Sequence, residues 1–454
     1  MLEGPADGAP LVTGSGVLAG VPVLLAILDG HTRGGTVGVH EAGILARLAE
    51  RAGSRRVRGR RPRALIIAFD TGGVRVEEGP IALAAASAVG VALARLTLTG
   101  LPTAAVISGP RGCFGAPSVM AALPDWVIMT SGAHWGLTGP RILGGLSNGA
   151  TPEQTALDAT SALSRLTNAD AQVLVADDVT AVRTQLRAFV RDHTSAAGHA
   201  RALPALPARI ARSAACTAAL AERFHGALPS PRPGPTPRRR RDLLRYSFRG
   251  QWMPTGPIEK QGLVHAALGT LGGRPTLGVI VGPEQVPRGG VGIEEAAVIT
   301  QMVRLATEHA APERAAIFIF LFCQGHAVDT TQERFGLTRA LAECLRTLVA
   351  ARLLGHPIIS ILGGGTYGAA YLSLAAPSHR VLALRGTTVA PMSPQVLRAF
   401  QVLRGRQTGD EAADQLAELI PGVRIVDSVI RLPRVVKDEL ARVRADIESE
   451  RTAR

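Results

Sequence analysis

The sequence predicts an α/β fold made of two similar halves in tandem, and three observations carry that expectation. A glycine-containing stretch before Pro22 (Gly16-Val17-Leu18-Ala19-Gly20-Val21) returns before Pro275 (Gly269-Thr270-Leu271-Gly272-Gly273-Arg274), an offset of about 253 residues. After each, apolar strands alternate with helical stretches in the same order, the signature of βα units. Between the halves runs Leu228-Pro229-Ser230-Pro231-Arg232-Pro233-Gly234-Pro235-Thr236-Pro237, followed by four arginines, a linker by composition. The expected boundaries are 1–225 for the first domain, 226–255 for the linker and 256–454 for the second domain.

The elements follow in sequence. Leu11 to Leu28 is uncharged, but Gly14, Gly16, Gly20 and Pro22 interrupt it and no basic segment precedes it. A β-hairpin turning near Leu18–Gly20 explains it better than a membrane span or a signal segment. Arg33-Gly34-Gly35-Thr36-Val37-Gly38-Val39-His40-Glu41-Ala42 then parallels Arg288-Gly289-Gly290-Val291-Gly292-Ile293-Glu294-Glu295-Ala296 with one residue deleted. Helices are expected over 41–52 and 294–308, and strands over 64–69 and 316–322. Each strand runs into a glycine turn, Asp70-Thr71-Gly72-Gly73 or Cys323-Gln324-Gly325. A further helix (81–98; 337–354) leads to a strand started by proline (102–108; 357–362). A second glycine turn follows, Gly109-Pro110-Arg111-Gly112-Cys113-Phe114-Gly115-Ala116 or Gly363-Gly364-Gly365-Thr366-Tyr367-Gly368-Ala369. Third strands are expected near 126–129 and 380–384. One large generic α/β domain is the competing reading, and the linker argues against it.

Length and composition fit this organisation. The chain has 454 residues, too many for one ordinary core. Aromatics make up 4% while glycine numbers 51, which suits closely packed α/β layers. The net charge of +14 invites a nucleic-acid reading. Much of the excess sits in two expected loops, at 55–63 and 238–241, with no zinc finger, RNA-recognition motif or aromatic-interleaved basic patch. A phosphorylated thioester carrier would use positive charge equally well. The four cysteines, Cys113, Cys216, Cys323 and Cys344, lack metal-ligand spacing, so no structural zinc is expected and a reducing cytoplasm is the simple reading. Neither nucleic acid nor membrane is an expected partner.

Two glycine turns at adjacent strand ends offer backbone N–H groups that a substrate can approach closely. Two such donors on one carbonyl oxygen make an oxyanion hole, and decarboxylation of a β-carboxy thioester needs little else. Ordinary tight-turn or phosphate-binding glycines are the alternative. No Walker A, Gly-x-Ser-x-Gly or His-Glu-x-x-His motif is present. The expectation is that Gly73, Val74 and one of Gly112–Phe114 aim amides into one pocket.

The segments FDTGGVR (Phe69 to Arg75), GPRGCFGAPSVMAALPDWVIMT (Gly109 to Thr130) and GLTGPRIL (Gly136 to Leu143) resemble the beta subunit of biotin-independent malonate decarboxylase. They resemble, more distantly, the carboxyltransferase beta subunits of acyl-CoA carboxylases. The second half, through Arg288–Glu295, Cys323-Gln324, Glu333 and ARLLGHPIISILGGG (Ala351 to Gly365), is similar to the gamma subunit. The resemblance implies two ClpP/crotonase-type ββα superhelical domains that decarboxylate a malonyl thioester on an acyl carrier protein to the acetyl thioester and carbon dioxide. It implies no cofactor bound covalently to this chain; the thioester rides on the carrier's CoA-like prosthetic group. An acyl carrier protein and an acyl-transferase subunit are the implied partners, and a homo-oligomer is expected. Within the resemblance, Gly72, Gly73 and Val74 match a first oxyanion turn and Gly112, Cys113 and Phe114 a second. Gln324 and Gly325, then Tyr367 and Gly368, match the corresponding turns of the other half. Tyr367 stands where a small residue is usual, Cys323 and His326 replace more usual small and aromatic residues, and Tyr367 would either narrow a thioester pocket or supply a hydroxyl.

Single residues carry alternatives. Cys113 is either a nucleophile or a small packing residue in a turn. His326 either protonates the enolate carbon or is structural. Arg75 either holds a carboxylate or phosphate, or braces its turn against Glu77 or Glu78. Competing functions are a carboxyltransferase component of a biotin-dependent acyl-CoA carboxylase, which would require a biotinyl carrier partner, and a non-catalytic scaffold. An enoyl-CoA hydratase or isomerase is disfavoured because no carboxylate is evident in either second turn.

Overall fold

Two short-looped hairpins, each feeding a run of parallel strands, organise the chain. The computed structural model describes residues 2–3, 8–54, 62–146, 153–194, 205–226, 252–255, 259–282, 290–309, 313–323, 325–403 and 416–452. The Pro/Arg-rich segment at 227–251 and the basic stretch at 55–61 lie outside the described residues. Packing divides the chain into a first unit of Met1–Pro204, Val328–Ala342 and Pro394–Thr408 and a second of Ala205–Ala327, Glu343–Ser393 and Gly409–Arg454.

The first unit holds a seven-stranded sheet in sequence order: β1 (Leu2–Glu3), β2 (Leu11–Leu18), β3 (Val21–Leu28), β4 (Ala64–Phe69), β5 (Thr103–Ile107), β6 (Trp126–Thr130) and β7 (Val173–Val175). Strands β1 to β3 pair antiparallel, and β3 to β7 pair parallel. The β2–β3 turn is Ala19-Gly20, both left-handed (φ 50° and 81°), which matches the twist of a two-residue hairpin. Strand β4, ALIIAF, is buried on both faces and reads as a continuous apolar run. The helices are α1 (Val39–Ser54), α2 (Gly79–Thr99), α3 (Ala116–Ala121), α4 (Pro140–Leu146), α5 (Glu153–Thr160), α6 (Ala162–Thr167) and α7 (Val179–Thr194). Phe189 and Val190 of α7 pack on Val23, Ile66, Val106 and Ile128 of one sheet face. Helix α2 is apolar and long enough to cross a membrane by composition, yet most of it is buried in the core, and Gly100 ends it at φ 82°.

The second unit carries an eight-stranded sheet. Its main path is β17-β15-β13-β12-β11-β10-β8, where β8 is Trp252–Pro254, β10 Val264–Leu271, β11 Arg274–Val281, β12 Ala316–Leu321, β13 Ile358–Leu362, β15 Arg380–Leu384 and β17 Val423–Val426. Strand β9 (Glu259–Gln261) pairs with β10, and β14 (Gly365–Tyr367) pairs with β16 (Thr388–Ala390). Pairing is antiparallel from β8 to β11 and parallel from β11 to β17, as in the first unit. The strands expected at 64–69 and 380–384 form over those residues, and the other expected strands and helices agree to within two or three residues.

The two packing units cut across the two halves of the sequence. Helix α8 (Leu206–Gly226), assigned to the first domain by sequence, packs in the second unit against α9 (Ile293–His309). Thr217 Oγ1 meets Thr300 Oγ1 at 2.6 Å, and Ser213 donates to Glu343 at 2.6 Å. Conversely, α10 (Thr330–Arg334), the first residues of α11 (Leu337–Leu353) and α12 (Pro394–Leu403) group with the first unit. Helix α13 (Leu432–Thr452) covers one face of the second sheet with Leu432, Val436 and Leu440.

The repeat extends to side chains. Glu41 accepts from Gly38 N–H at 2.9 Å, and Glu295 accepts from Gly292 N–H at 2.9 Å, each closing the first turn of its helix. Their charges differ in setting. Burial opposes ionisation of Glu41, but the backbone amides of Glu41 and Gly38 and the Arg75 guanidinium, 3.2 Å away, outweigh it and hold its pKa below 4.5. Burial raises the pKa of Glu295 above 4.5, and the amides of Gly292 and Leu263 only partly offset it. The Glu41 contribution to stability is therefore complete above its unfolded pKa and is lost as pH falls through the lower folded value. For Glu295, stability declines as pH climbs from 4.5 through the raised value. Glu41→Gln is expected to cost about 1.5–3 kcal/mol at pH 7, a gap that narrows below pH 4.5, and Glu295→Gln to cost less. Chemical denaturation of both variants at pH 7 and pH 4 measures this; equal losses at pH 7 would contradict it.

Candidate active site

In the first unit, β4 and β5 are parallel neighbours, so the turns that follow them lie side by side. Asp70, the first residue after β4, fixes the start of the second turn by accepting from the Arg111 amide at 2.8 Å. Its carboxylate fits only because Gly30 and Gly109 lack side chains; a Cβ on either would lie 2.2–2.3 Å from Asp70 Oδ2. Thr71 then bridges Cys113: Thr71 N–H donates to Gly112 O at 2.7 Å, and Phe114 N–H donates to Thr71 O at 3.2 Å. Further along, the turns pass each other at Gly73 and Gly115, both with positive φ (121° and 66°). A Cβ on Gly115 would sit 3.4 Å from Gly73 Cα and 3.9 Å from the Val74 nitrogen.

Backbone amides must be accounted for one by one. Gly72 N–H donates to Gly34 O at 2.9 Å, and Gly73 N–H to Thr71 Oγ1 at 3.2 Å. Gly112 donates to Gly109 O at 3.3 Å, Cys113 to His134 O at 2.8 Å and Gly115 to Leu137 O at 3.0 Å. Val37 N–H donates to Gly73 O and Arg75 N–H to Val37 O, both at 2.9 Å, so the bridge around Val74 leaves the Val74 N–H unused. Among the described residues, the N–H groups of Val74 and Ala116 have no protein acceptor. The expectation is thus corrected at both turns: Gly73 spends its amide on Thr71 Oγ1, Gly112, Cys113 and Phe114 spend theirs on backbone carbonyls, and Val74 and Ala116, the first residue of α3, keep theirs free. A signal for it was present in Gly115-Ala116-Pro117, a glycine cap followed by proline in a first helical turn.

Side chains around the turns are committed to structure. Cys113 is fully buried, and burial, aided by the nearby Asp70 charge, pushes its thiol well above the usual range. It is a packing residue, not a poised nucleophile. Arg75 bonds Glu78 at 2.6 Å, Glu41 at 3.2 Å and Thr36 O at 3.1 Å. Its bracing role is the one the geometry takes, through Glu78 and Glu41 and not Glu77. A cavity of about 650 Å³ on the α7 side of the sheet is walled by Leu25, Ile66, Val106 and Leu186, and its lining includes Ser108 and Gly109 at the start of the second turn.

The second unit repeats the frame. Val291 bridges His326 as Val37 bridges Val74: Val291 N–H donates to Gly325 O, and Ala327 N–H to Val291 O, both at 2.9 Å. A Cβ on Gly325 (φ 119°) would lie 3.2 Å from Tyr367 O, and one on Gly368 would lie 3.6 Å from His326 Nδ1. Gly325, His326, Tyr367 and Gly368 are therefore brought together, while Gln324 lies outside the described residues. Tyr367 is buried and its hydroxyl pairs with Thr388 Oγ1 at 2.7 Å. Burial pushes the His326 imidazole down to about 4, so it is neutral at pH 7.

Two glycines of the first site separate local strain from open space. A Cβ at Gly112 (φ 68°) would lie 2.2 Å from His134 O, whereas one at Gly72 would come no closer than 3.5 Å to Gly34 O. Gly112→Ala is expected to lower stability by more than about 2 kcal/mol and Gly72→Ala by less than about 1 kcal/mol. Thermal unfolding of the two variants checks the order.

The family described as carboxyl transferase domain matches residues 3–421. The acetyl-coenzyme A carboxylase carboxyl transferase subunit beta of Desulforamulus reducens is 33% identical over 133 residues, 29% of this chain and 44% of that protein. The methylmalonyl-CoA carboxyltransferase 12S subunit of Propionibacterium freudenreichii subsp. shermanii is 34% identical over 140 residues, 31% of this chain and 24% of that one. The chain thus spans less than half the length of these two curated relatives. Among solved structures, a Pseudomonas malonate decarboxylase heterodimer is similar at 31% identity over 41% of this chain and 78% of that chain, with a TM-score of 0.37. The match over 3–421 covers most of the chain, which belongs to the carboxyl transferase domain family.

Proposed function

We propose that the first unit stabilises a thioester enolate with the Val74 and Ala116 amides and, by doing so, decarboxylates a malonyl-type thioester. The observation that carries this reading is the pair of unspent N–H groups beside the contact of the two glycine turns. In the reaction, the bond between C2 and its carboxylate breaks and carbon dioxide leaves. The released pair forms the C1–C2 double bond, and the carbonyl pair moves onto the thioester oxygen. Two fixed donors meet that charge without reorganising, which is where backbone dipoles act most strongly. A proton from water then bonds C2 and restores the carbonyl. The thioester arm is the CoA-like group of an acyl carrier protein, and an acyl-transferase subunit would load it.

Membership of the carboxyl transferase family favours a second reading that uses the same enolate, with C2 attacking the carboxyl carbon of a carboxylated biotin instead of taking a proton. The readings diverge after the enolate, so one set of assays separates them.

Ala116→Pro is the cleanest test. Proline suits the first position of a helix and removes only the N–H that lacks a partner. It is expected to keep the fold and to lower kcat by about 10²–10³, the usual effect of one oxyanion donor. Cys113→Ala keeps its amide and is expected to retain most turnover. Carbon dioxide release from malonyl-CoA and from malonyl-carrier protein measures both. Full activity in Ala116→Pro, or an acyl group trapped on Cys113, would overturn the mechanism. Carboxyl transfer to biotin without carbon dioxide release would assign the chain to the second reading.

A further inference from the structure

The N-terminus of α3, where the Ala116 amide lies, is held from behind by a residue distant in sequence. Glu333, in α10 of the first unit, is fully buried. Its two carboxylate oxygens accept from Leu137 N–H at 3.1 Å and Thr138 N–H at 2.8 Å. Leu137 O in turn accepts from Gly115 N–H at 3.0 Å, and Gly136 N–H donates to Cys113 O at 3.1 Å. The carboxylate therefore grips the strand-like segment that grips the second glycine turn on both sides of Phe114. Room for it is made by Gly136, where a Cβ would lie 3.0 Å from Glu333 Oε2. Arg165, also buried, donates to the Glu333 and Ala159 carbonyls and pairs with Asp170 at 3.2 Å, fixing the helix that carries the carboxylate.

We infer that Glu333 is a positioning residue for the second oxyanion donor: its ionised carboxylate, through Leu137 and Gly115, sets the place of the Ala116 amide. The inference rests on the oxyanion reading for its catalytic consequence, though not for the positioning itself. Only the carboxylate presents acceptors to both amides. A carboxylic acid or a carboxamide turns a donor toward one of them.

The charge state of Glu333 is finely balanced. Burial pushes its pKa up to about 7, against the Arg165 charge and the two amides, while Asp329, the N-cap of α10, adds to the rise. Among the described residues, the other ionisable groups on these elements include Arg334 of α10 itself, Asp170, already paired with Arg165, the half-buried His134 of the gripped segment, and the exposed Glu153 and Asp158 of α5. Wild-type kcat is therefore expected to fall as pH drops through about 7, with KM moving little.

The test compares wild type, Glu333→Gln and Ala116→Pro, each checked for folding by circular dichroism and thermal unfolding. Glu333→Gln is expected to lower kcat at pH 8 by about tenfold or more, to leave KM within about threefold, and to flatten the acid limb of the kcat profile for malonyl-CoA. Hydrogen exchange, which needs no turnover, is expected to quicken at Leu137, Thr138 and Gly115 by about tenfold or more while the β4 amides stay protected. Unchanged exchange at Gly115 in folded Glu333→Gln overturns the positioning, whatever the activity. If exchange quickens but neither Glu333→Gln nor Ala116→Pro affects kcat, the oxyanion reading fails and the positioning stands. If Ala116→Pro lowers kcat while Glu333→Gln leaves kcat and its pH profile unchanged, the catalytic role of Glu333 is refuted alone.

Discussion

The close approach of two backbone turns is the constraint on which the first unit's site depends. Thr71 and Cys113 pair as if their strands continued past the sheet edge, and the chains then pass at Gly73 and Gly115 with no side chain between them. Positive φ at both positions places the contact where L-residues with a Cβ are strained. The parallel order β3-β4-β5-β6 brings the strand ends together, and hydrogen bonds within and behind the turns take up the amides of Gly72, Gly73 and Gly112 to Gly115. What remains unspent, at Val74 and Ala116, is a by-product of satisfying everything else.

This places the polar groups of the site in supporting roles. Asp70 pins the second turn at its start, Glu333 supports its end, and Arg75 ties the first turn to α1 through Glu41. Each acts on backbone position. A site that relies on fixed dipoles needs such anchoring, because a donor misplaced by an ångström loses most of its effect on a developing charge. The buried, strongly protonated Cys113 fits the same picture: its side chain fills space and its amide fixes the turn to His134.

The second unit repeats the frame of the first with a different lining. Gly325 and Gly368 repeat Gly73 and Gly115, and the Val291 bridge repeats that of Val37. Glu295 is more deeply buried than Glu41, and where the first unit has Arg75 beside Glu41 the second has Ala327; deeper burial and the missing guanidinium together set the two glutamates' shifts in opposite directions. His326 and Tyr367 add bulk at the turn, the first neutral and the second hydrogen-bonded to Thr388.

Sequence by itself determined the elements whose signal is local. The hairpin at 11–28, the continuous apolar strands and the glycine turns follow from periodicity, β-branched runs and φ requirements, and the repeat located them twice. The same reasoning pointed to the two turns and expected the Gly73 and Val74 amides to be offered together; the structure leaves the Val74 amide unspent but gives that of Gly73 to Thr71 Oγ1. It assigned the second donor to the wrong residues, because which amide stays free depends on the carbonyls of His134, Leu137 and Thr71 arriving from other segments. Nor did it show that α8 packs with the second unit and Glu333 with the first, since covalent order and a linker say nothing about which apolar face a helix will cover. Only the tertiary structure decided those points: hydrogen-bond satisfaction and helix packing are settled by neighbours in space, and for Glu333 those neighbours lie 195 and 196 residues away in the chain.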